Sequence, residues 1–189
     1  MRGGRDRCCV IHRFVAIKLA PYYMLWCCAT VKVARVKNKL HRVKFVNHVV
    51  AIANDHAGVA LKAALLPEIS ACGFTAIDLG TNTTDSVDYP DYGKLVAGAV
   101  ADGRARFGIA ICGSGIGISI AANRTPGIRA ALCHTGLAAS LARQHNDANI
   151  IALGARLIGE AEARECVQRF LTTAFEGGGR HTTRVQKLG

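Results

Sequence analysis

The run Phe107 to Asn123 reads FGIAICGSGIGISIAAN. A short apolar segment, Phe107 to Ile111, delivers Cys112 at its end; Gly113, Ser114, Gly115 and Gly117 follow, and an Ile/Ala-rich segment able to start a helix comes directly after. This succession reads as a strand, a glycine turn and a helix N-terminus. Such a junction gathers unpaired backbone N–H groups and the positive end of a helix dipole around one point. A thiol placed there ionises more readily, and an anion formed there is stabilised. The stretch therefore predicts a base beside an anion cradle.

Working outward, the same alternation recurs. Val46 to Ala53 reads as a buried strand that stops at Asn54-Asp55-His56-Ala57-Gly58, and polar residues at such an end line a crevice. Val59 to Cys72 has helical spacing at Leu61, Ala64, Leu65 and Ile69, with Pro67 expected to kink the helix or end it early and Gly73 as its C-cap. Phe74 to Leu79 is a second strand, opening into a polar loop from Gly80 to Asp91, and Tyr92 to Ala101 is a helix by its Ala/Leu/Val content. Beyond the opening stretch come a strand over Ile128 to Leu132, a helix over Gly136 to Gln144 running into His145-Asn146-Asp147, and a strand over Ile150 to Leu153. The last strong helix spans Gly159 to Thr173, and a flexible turn, Glu176 to Gly179, precedes Arg180, His181 and Arg184. Short apolar strands alternating with longer helices predict βαβ units, a parallel sheet and helices on both its faces. Right-handed crossovers put every strand's C-terminal end on one rim, which carries Asp55-His56, Cys112 to Gly117, and Arg156.

Composition sets the frame. With 189 residues, 50% of them hydrophobic and 20% charged, the chain suits one globular domain. The formal net charge of +11 is unevenly placed: residues 1–45 hold eleven Lys/Arg and the single acid Asp6, and the remainder is almost balanced. The basic character thus belongs to an N-terminal extension over 1–45, expected to be poorly ordered, ahead of a domain over 46–189. Its apolar stretch, Leu19 to Val31, is 13 residues long, short of the roughly 20 that cross a membrane. It lacks a small-x-small cleavage site and the serines of a transit peptide, and basic residues without a motif carry little nucleic-acid specificity, so neither membrane nor nucleic acid is expected as a partner. Of eight cysteines, Cys8, Cys9, Cys27 and Cys28 lie in the extension and Cys72, Cys112, Cys133 and Cys166 in the body. No C-x-x-C spacing suggests zinc, and free thiols in a reducing compartment fit best.

The glycine pattern G-x-G-x-G follows the third strand, where a dinucleotide fingerprint would follow the first, and no Gly-Lys-Ser/Thr of a Walker loop is present. NAD and ATP are discounted accordingly. Asp55, His56, His145 and Asp147 suit divalent ions by type, and each histidine equally suits a hydrogen-bonded core or capping role; spacing leaves both readings open. Arg180 and Arg184 lie four apart, so on a helix both point the same way and grip one phosphate, with Arg156 in reserve. A thiol base, an anion cradle, two imidazoles and an arginine cluster together suggest enolisation of a small phosphorylated carbonyl compound.

Asp55-His56-Ala57-Gly58, Ile111 to Asn123 (ICGSGIGISIAAN), Arg143-Gln144-His145-Asn146-Asp147 and Arg180-His181-x-x-Arg184 strongly resemble the type B ribose-5-phosphate isomerase family, which also contains galactose-6-phosphate isomerase subunits. The resemblance covers about Val46 to Lys187. It implies a Rossmann-like three-layer α/β/α sandwich with a five-stranded parallel sheet. It also implies a cytoplasmic homodimer or dimer of dimers with active sites shared between subunits, and neither metal nor cofactor. The resemblance assigns Cys112 the proton transfer between C2 and C1 through a cis-enediolate, the N–H groups of Gly113 to Gly117 the developing oxyanion, and Ser114 proton movement between the sugar oxygens. His145 would open the furanose ring, Asp55 and Asn146 would hold hydroxyls, and His56, Arg156, Arg180 and Arg184 the phosphate. Ile118 and Ser119 offer no carboxylate of the kind that replaces the thiol in other members. Asn54 stands where the family often has Ser or Cys, the Gly177-Gly178-Gly179 run is one glycine longer than expected, and the chain stops soon after Arg184, which bears on phosphate affinity. The expected reaction interconverts ribose 5-phosphate and ribulose 5-phosphate in the pentose phosphate pathway. Its rivals are a hexose 6-phosphate such as allose or galactose 6-phosphate, a non-catalytic sugar-phosphate- or nucleotide-binding module, and a metal-dependent hydrolase built on Asp55, His56, His145 and Asp147.

Overall fold

The computed structural model describes residues 48–188; the extension over 1–45 and the expected start of the first strand at Val46 lie outside the described residues. The elements are β1 (Val49–Asn54), α1 (Val59–Ala71), β2 (Thr75–Asp78), α2 (Tyr89–Ala101), β3 (Phe107–Cys112), α3 (Ile116–Ala122), β4 (Ala130–Leu132), α4 (Gly136–Asn146), β5 (Ile150–Gly154), α5 (Glu160–Thr172) and α6 (Gly179–Gln186), with a 3-10 turn at His56–Gly58. The strands form one parallel sheet in the order β2-β1-β3-β5-β4. The chain leaves β1 toward one side and β3 toward the other, so the carboxyl ends of β1 and β3 form a topological switch point, where open α/β sheets place their crevice.

Strand periodicity sorts the core into two unequal layers. Val50, Ile52, Ile109, Ile111, Ile151 and Leu153 point to the face covered by α1, α4 and α5, and are joined there by Leu65, Ile69, Val167 and Phe170. The alternate residues Ala51, Ala53, Ala110, Cys112 and Ala152 face α2 and α3. Small side chains on that side let the two helices sit close to the sheet, and Cys112 belongs to this thin layer. On the thick side Phe107 meets Phe170 edge-on at 5.6 Å, a contact worth about 0.5–1.5 kcal/mol beyond its buried area.

Two helix boundaries differ from expectation for local reasons. Pro67 neither ends nor shortens α1, which runs to Ala71. The helix stops where the N–H groups of Gly73 and Phe74 turn back to the carbonyls of Ser70 and Ile69, a Schellman closure with Gly73 at φ +82°. At the other end of the loop, α2 begins at Tyr89 and not at Tyr92: Pro90 falls in the first turn, where its missing N–H has no intrahelical partner to lose. Among the described residues no helix is long and apolar enough to cross a membrane.

Candidate active site

At the carboxyl end of β1 the N–H of Asp55 donates to the carbonyl of Ile111 at 3.1 Å, extending the β1–β3 pairing by one residue. Its buried carboxylate then accepts the N–H of Ala57 at 2.9 Å and caps the 3-10 turn. His56 follows in that turn. Its Nδ1 accepts the N–H of Val87 at 3.2 Å, so the neutral ring carries its proton on Nε2.

At the neighbouring end of β3, Cys112 is 3% exposed. The N–H of Gly115 donates to its Sγ at 3.1 Å, and the N–H of Ile116 donates to Ser114 Oγ at 3.3 Å. Gly115 adopts φ +76°, and a Cβ there would stand 2.9 Å from the Leu153 carbonyl carbon. Gly117, in the first turn of α3, is pressed by the Tyr89 ring, whose Cε2 would lie 2.4 Å from an added Cβ. Gly115 requires glycine for its dihedral, and Gly117 lets the Tyr89 ring lie against the start of α3. The N–H groups of Ala155 and Arg156 donate to the carbonyls of Cys112 and Gly113 at 2.8 and 3.0 Å, binding the β5 loop to the β3 loop. That bond lays Arg156 over Gly113.

The result is a cleft of about 650 Å³ lined by Asp55, His56, Ala57, Tyr89, Cys112, Gly113, Ser114, Ile116, Gly117, Ile120, Arg156 and Leu157. Seven of the expected site residues thus meet: Asp55, His56, Cys112, Gly113, Ser114, Gly117 and Arg156 line it, and Gly115 lies behind the sulfur with its N–H turned to it. The Gly115 N–H is thus engaged by the thiol sulfur, and that of Ile116 by Ser114 Oγ. Tyr89 was not foreseen in the site; the Tyr-Pro pair at a helix start is the signal that would have placed it.

The remaining expected residues lie elsewhere in the chain. His145 and Asn146 occupy the last turn of α4, which runs antiparallel to the strands and ends at the opposite rim of the sheet. There Asn149, three residues past Asn146, accepts the N–H of Gly108 at the start of β3. Cys112 sits four residues further along β3 than Gly108, roughly 13 Å at the usual rise. Asp147 ends α4 at φ +46° and is clamped by Arg129 at 2.8 Å and Arg143 at 2.9 Å. Arg143 is itself buried, with its guanidinium 4.7 Å from the Phe107 ring centre; burial draws its pKa down, while the bond to Asp147 opposes that. Within one chain the set Asp55, His56, His145 and Asp147 is therefore not assembled as a metal centre. Asn146 instead borders a second hollow of about 380 Å³ with Arg129 and Leu188.

His145 stacks on His181 of α6 with ring centres 4.5 Å apart and planes within 7°. Arg180 and Arg184 share that helix. Partial burial, then the neighbouring His145, Arg180 and Arg184, hold the His181 imidazole below its ordinary pKa, with Glu176 acting in the other sense. Cys133 and Cys166 are buried and line neither hollow: burial pushes Cys133 up to about 11 and, as the largest cause, Cys166 to about 12.

A thiol, a carboxylate, an imidazole donor and a guanidinium converge at the switch point of a parallel sheet, a set able to move a proton and hold an anionic substrate. The sequence profile of the ribose/galactose isomerase family matches residues 50–188. Ribose-5-phosphate isomerase B of Escherichia coli is 44% identical over 139 residues, covering 74% of this chain and 93% of that protein. A putative sugar phosphate isomerase of Rickettsia conorii is 47% identical over 139 residues, covering 74% of this chain and 96% of that protein. The solved structure of the type B ribose 5-phosphate isomerase of Trypanosoma brucei superimposes with a TM-score of 0.73 at 47% identity, covering 75% of this chain and 96% of that one. The chain belongs to the ribose/galactose isomerase family.

Proposed function

We propose that the chain interconverts ribose 5-phosphate and ribulose 5-phosphate, with Cys112 as the base. The single observation that carries this reading is the placement of Cys112 at the end of β3, inside the cleft and held by the Gly115 N–H. Sγ takes the proton from C2 of the open-chain aldose and returns it to C1. The electron pair passes through a cis-enediolate whose oxygen lies against the N–H groups of the 113–117 loop, and Ser114 Oγ relays the proton between the two oxygens. Asp55 holds a sugar hydroxyl, and the Nε2–H of His56 and the guanidinium of Arg156 face the phosphate.

His145, the residue assigned to ring opening, is not brought to this cleft within one chain. A second copy of the chain supplies it in this reading: His145 and Asn146 of one copy, with Arg180 and Arg184, reach the Cys112 cleft of the other. Supporting this, Ile116, Ile120 and Leu157 at the cleft are each more than half exposed, as is Leu137 on α4, an apolar surface suited to cover by another protomer. The reading implies a homodimer or a dimer of two such dimers, working in the cytoplasm.

Subunit complementation tests both claims. Cys112→Ala and His145→Ala homodimers should each lose isomerisation of ribose 5-phosphate by at least about a thousandfold. Mixing and refolding them together should restore activity, because hybrid dimers hold one site with both residues intact. Full activity in Cys112→Ala would remove the thiol from the mechanism, and no recovery in the mixture would remove the shared site. Rates with the hexose 6-phosphates, measured alongside, decide the sugar length.

A further inference from the structure

Glu176, in the segment between α5 and α6, has no part in the mechanism above, yet it meets both members of the imidazole stack. Its backbone N–H donates to the carbonyl of Gln144 at 3.0 Å, so the segment is tied to the last turn of α4 immediately before His145. One ligand atom from each of His145, Glu176 and His181 lies within 4.8 Å of the other two. Ligands around a tetrahedral zinc are about 3.4 Å apart, given bonds of about 2.0–2.1 Å, and imidazole lone pairs lie in the ring plane, so closing the three on one ion takes a turn of one ring out of the near-parallel His145–His181 stack. Two imidazoles and one carboxylate are a donor set for first-row transition ions.

We propose that His145, Glu176 and His181 form a binding site for a divalent transition-metal ion, zinc being the best fit, and that occupancy inhibits the enzyme. The inhibitory half rests on the reading in which His145 opens the sugar ring. An imidazole whose nitrogen lone pair is bound to zinc accepts no proton from the sugar hydroxyl. The same ion would staple α6, which buries none of its own residues, to α4. Arg180 and Arg184 sit on α6 beside the site, and their charge disfavours any cation held by Coulomb attraction alone. Magnesium and calcium, which depend on several oxygen ligands, are therefore excluded in favour of an ion with strong bonds to nitrogen.

Cobalt(II) is the probe, because its spectrum reports the ligands. The chelator-treated full-length chain is titrated with cobalt chloride and followed by absorption. One ion per chain should bind, with a visible d–d band and without the near-ultraviolet sulfur-to-cobalt charge-transfer band. Glu176→Gln and His181→Gln should each weaken binding at least tenfold. No saturable binding, a charge-transfer band from a cysteine, or unchanged affinity in both variants would overturn the site. In the activity arm, zinc should inhibit turnover of ribose 5-phosphate by the wild type. Glu176→Gln should match the wild type in metal-free buffer and need at least tenfold more zinc for the same inhibition. Bound metal with undiminished turnover would overturn the inhibitory role. The two readings separate cleanly: an inactive His145→Ala without cobalt binding to the wild type sinks the metal site alone. A fully active His145→Ala with cobalt bound to the wild type sinks the ring-opening assignment and leaves the site standing.

Discussion

The backbone N–H of Gly115 points at the sulfur of Cys112 across 3.1 Å, and the dihedral that aims it, φ +76°, is one that only glycine adopts without strain. The residue that turns the chain from β3 into α3 is thus also the one that fixes the thiol. Gly115→Ala should cost on the order of 2 kcal/mol in stability, since the new Cβ is both strained and pressed against Leu132 and the Leu153 backbone. Turnover should fall at least tenfold in kcat while KM changes little, because the sulfur shifts and the phosphate groups do not. Denaturant melts and steady-state kinetics check the two halves separately.

Lys62 is 2% exposed and binds three partners at once: Asp78 at 2.9 Å, the Thr81 carbonyl at 2.9 Å and Asn82 Oδ1 at 2.8 Å. It anchors the loop that ends at Val87 and Tyr89, and so acts on the cleft through His56. Lys62→Met should lose about 2–3 kcal/mol, less than a fully buried pair because Asp78 keeps contact with water. KM should rise severalfold with kcat closer to wild type, and Lys62→Arg should not rescue, since its planar fork does not fit three oxygens placed around an ammonium.

Thiol reactivity should follow access from the cleft, which Cys112 lines although it is only 3% exposed. Cys133 and Cys166, raised to about 11 and about 12, should stay unlabelled by iodoacetamide in the native protein near neutral pH, while Cys112 in the cleft is modified with loss of activity. Peptide mapping by mass spectrometry reads this directly. Prior addition of ribose 5-phosphate should protect Cys112 and leave Cys72 labelling unchanged.

Acidification should loosen α6. The folded-state pKa of His181 is lowered, so the unfolded or detached form binds more protons and stability rises with pH. At a pH above the ordinary histidine value nothing is lost. As the pH falls through that value toward the lowered one, the docked form is progressively disfavoured. Hydrogen exchange over residues 179–186 should accelerate in that window and not on the alkaline side, and His181→Phe, which keeps an aromatic stack without the charge, should abolish the effect.

Much of the working cleft was legible without coordinates. The alternation of apolar runs and helices implies a parallel sheet, and right-handed crossovers bring the strand ends together, so Asp55, His56, Cys112 to Gly117 and Arg156 fall on one rim. The same geometry sends the end of each following helix to the other rim, which separates His145 and Asn146 from Cys112 within a chain. Spacing in the sequence carries no sign of this distance. Tyr89 was hidden in a stretch that reads as loop, because a proline argues against a helix everywhere except in its first turn.

The sequence by itself determined the fold class and the strand–turn–helix around Cys112, because these depend on periodicity, glycine dihedrals and residue type over a few neighbouring positions. Only the tertiary structure decided which N–H meets the sulfur and that Lys62 is buried. It also showed that His145, Glu176 and His181 stand together. Each depends on partners from separate segments brought within a few ångströms: Lys62 reaches oxygens 16 to 20 positions away, and the imidazole stack joins residues from α4 and α6. Local pattern holds no record of such distances; the packing of helices on the sheet sets them.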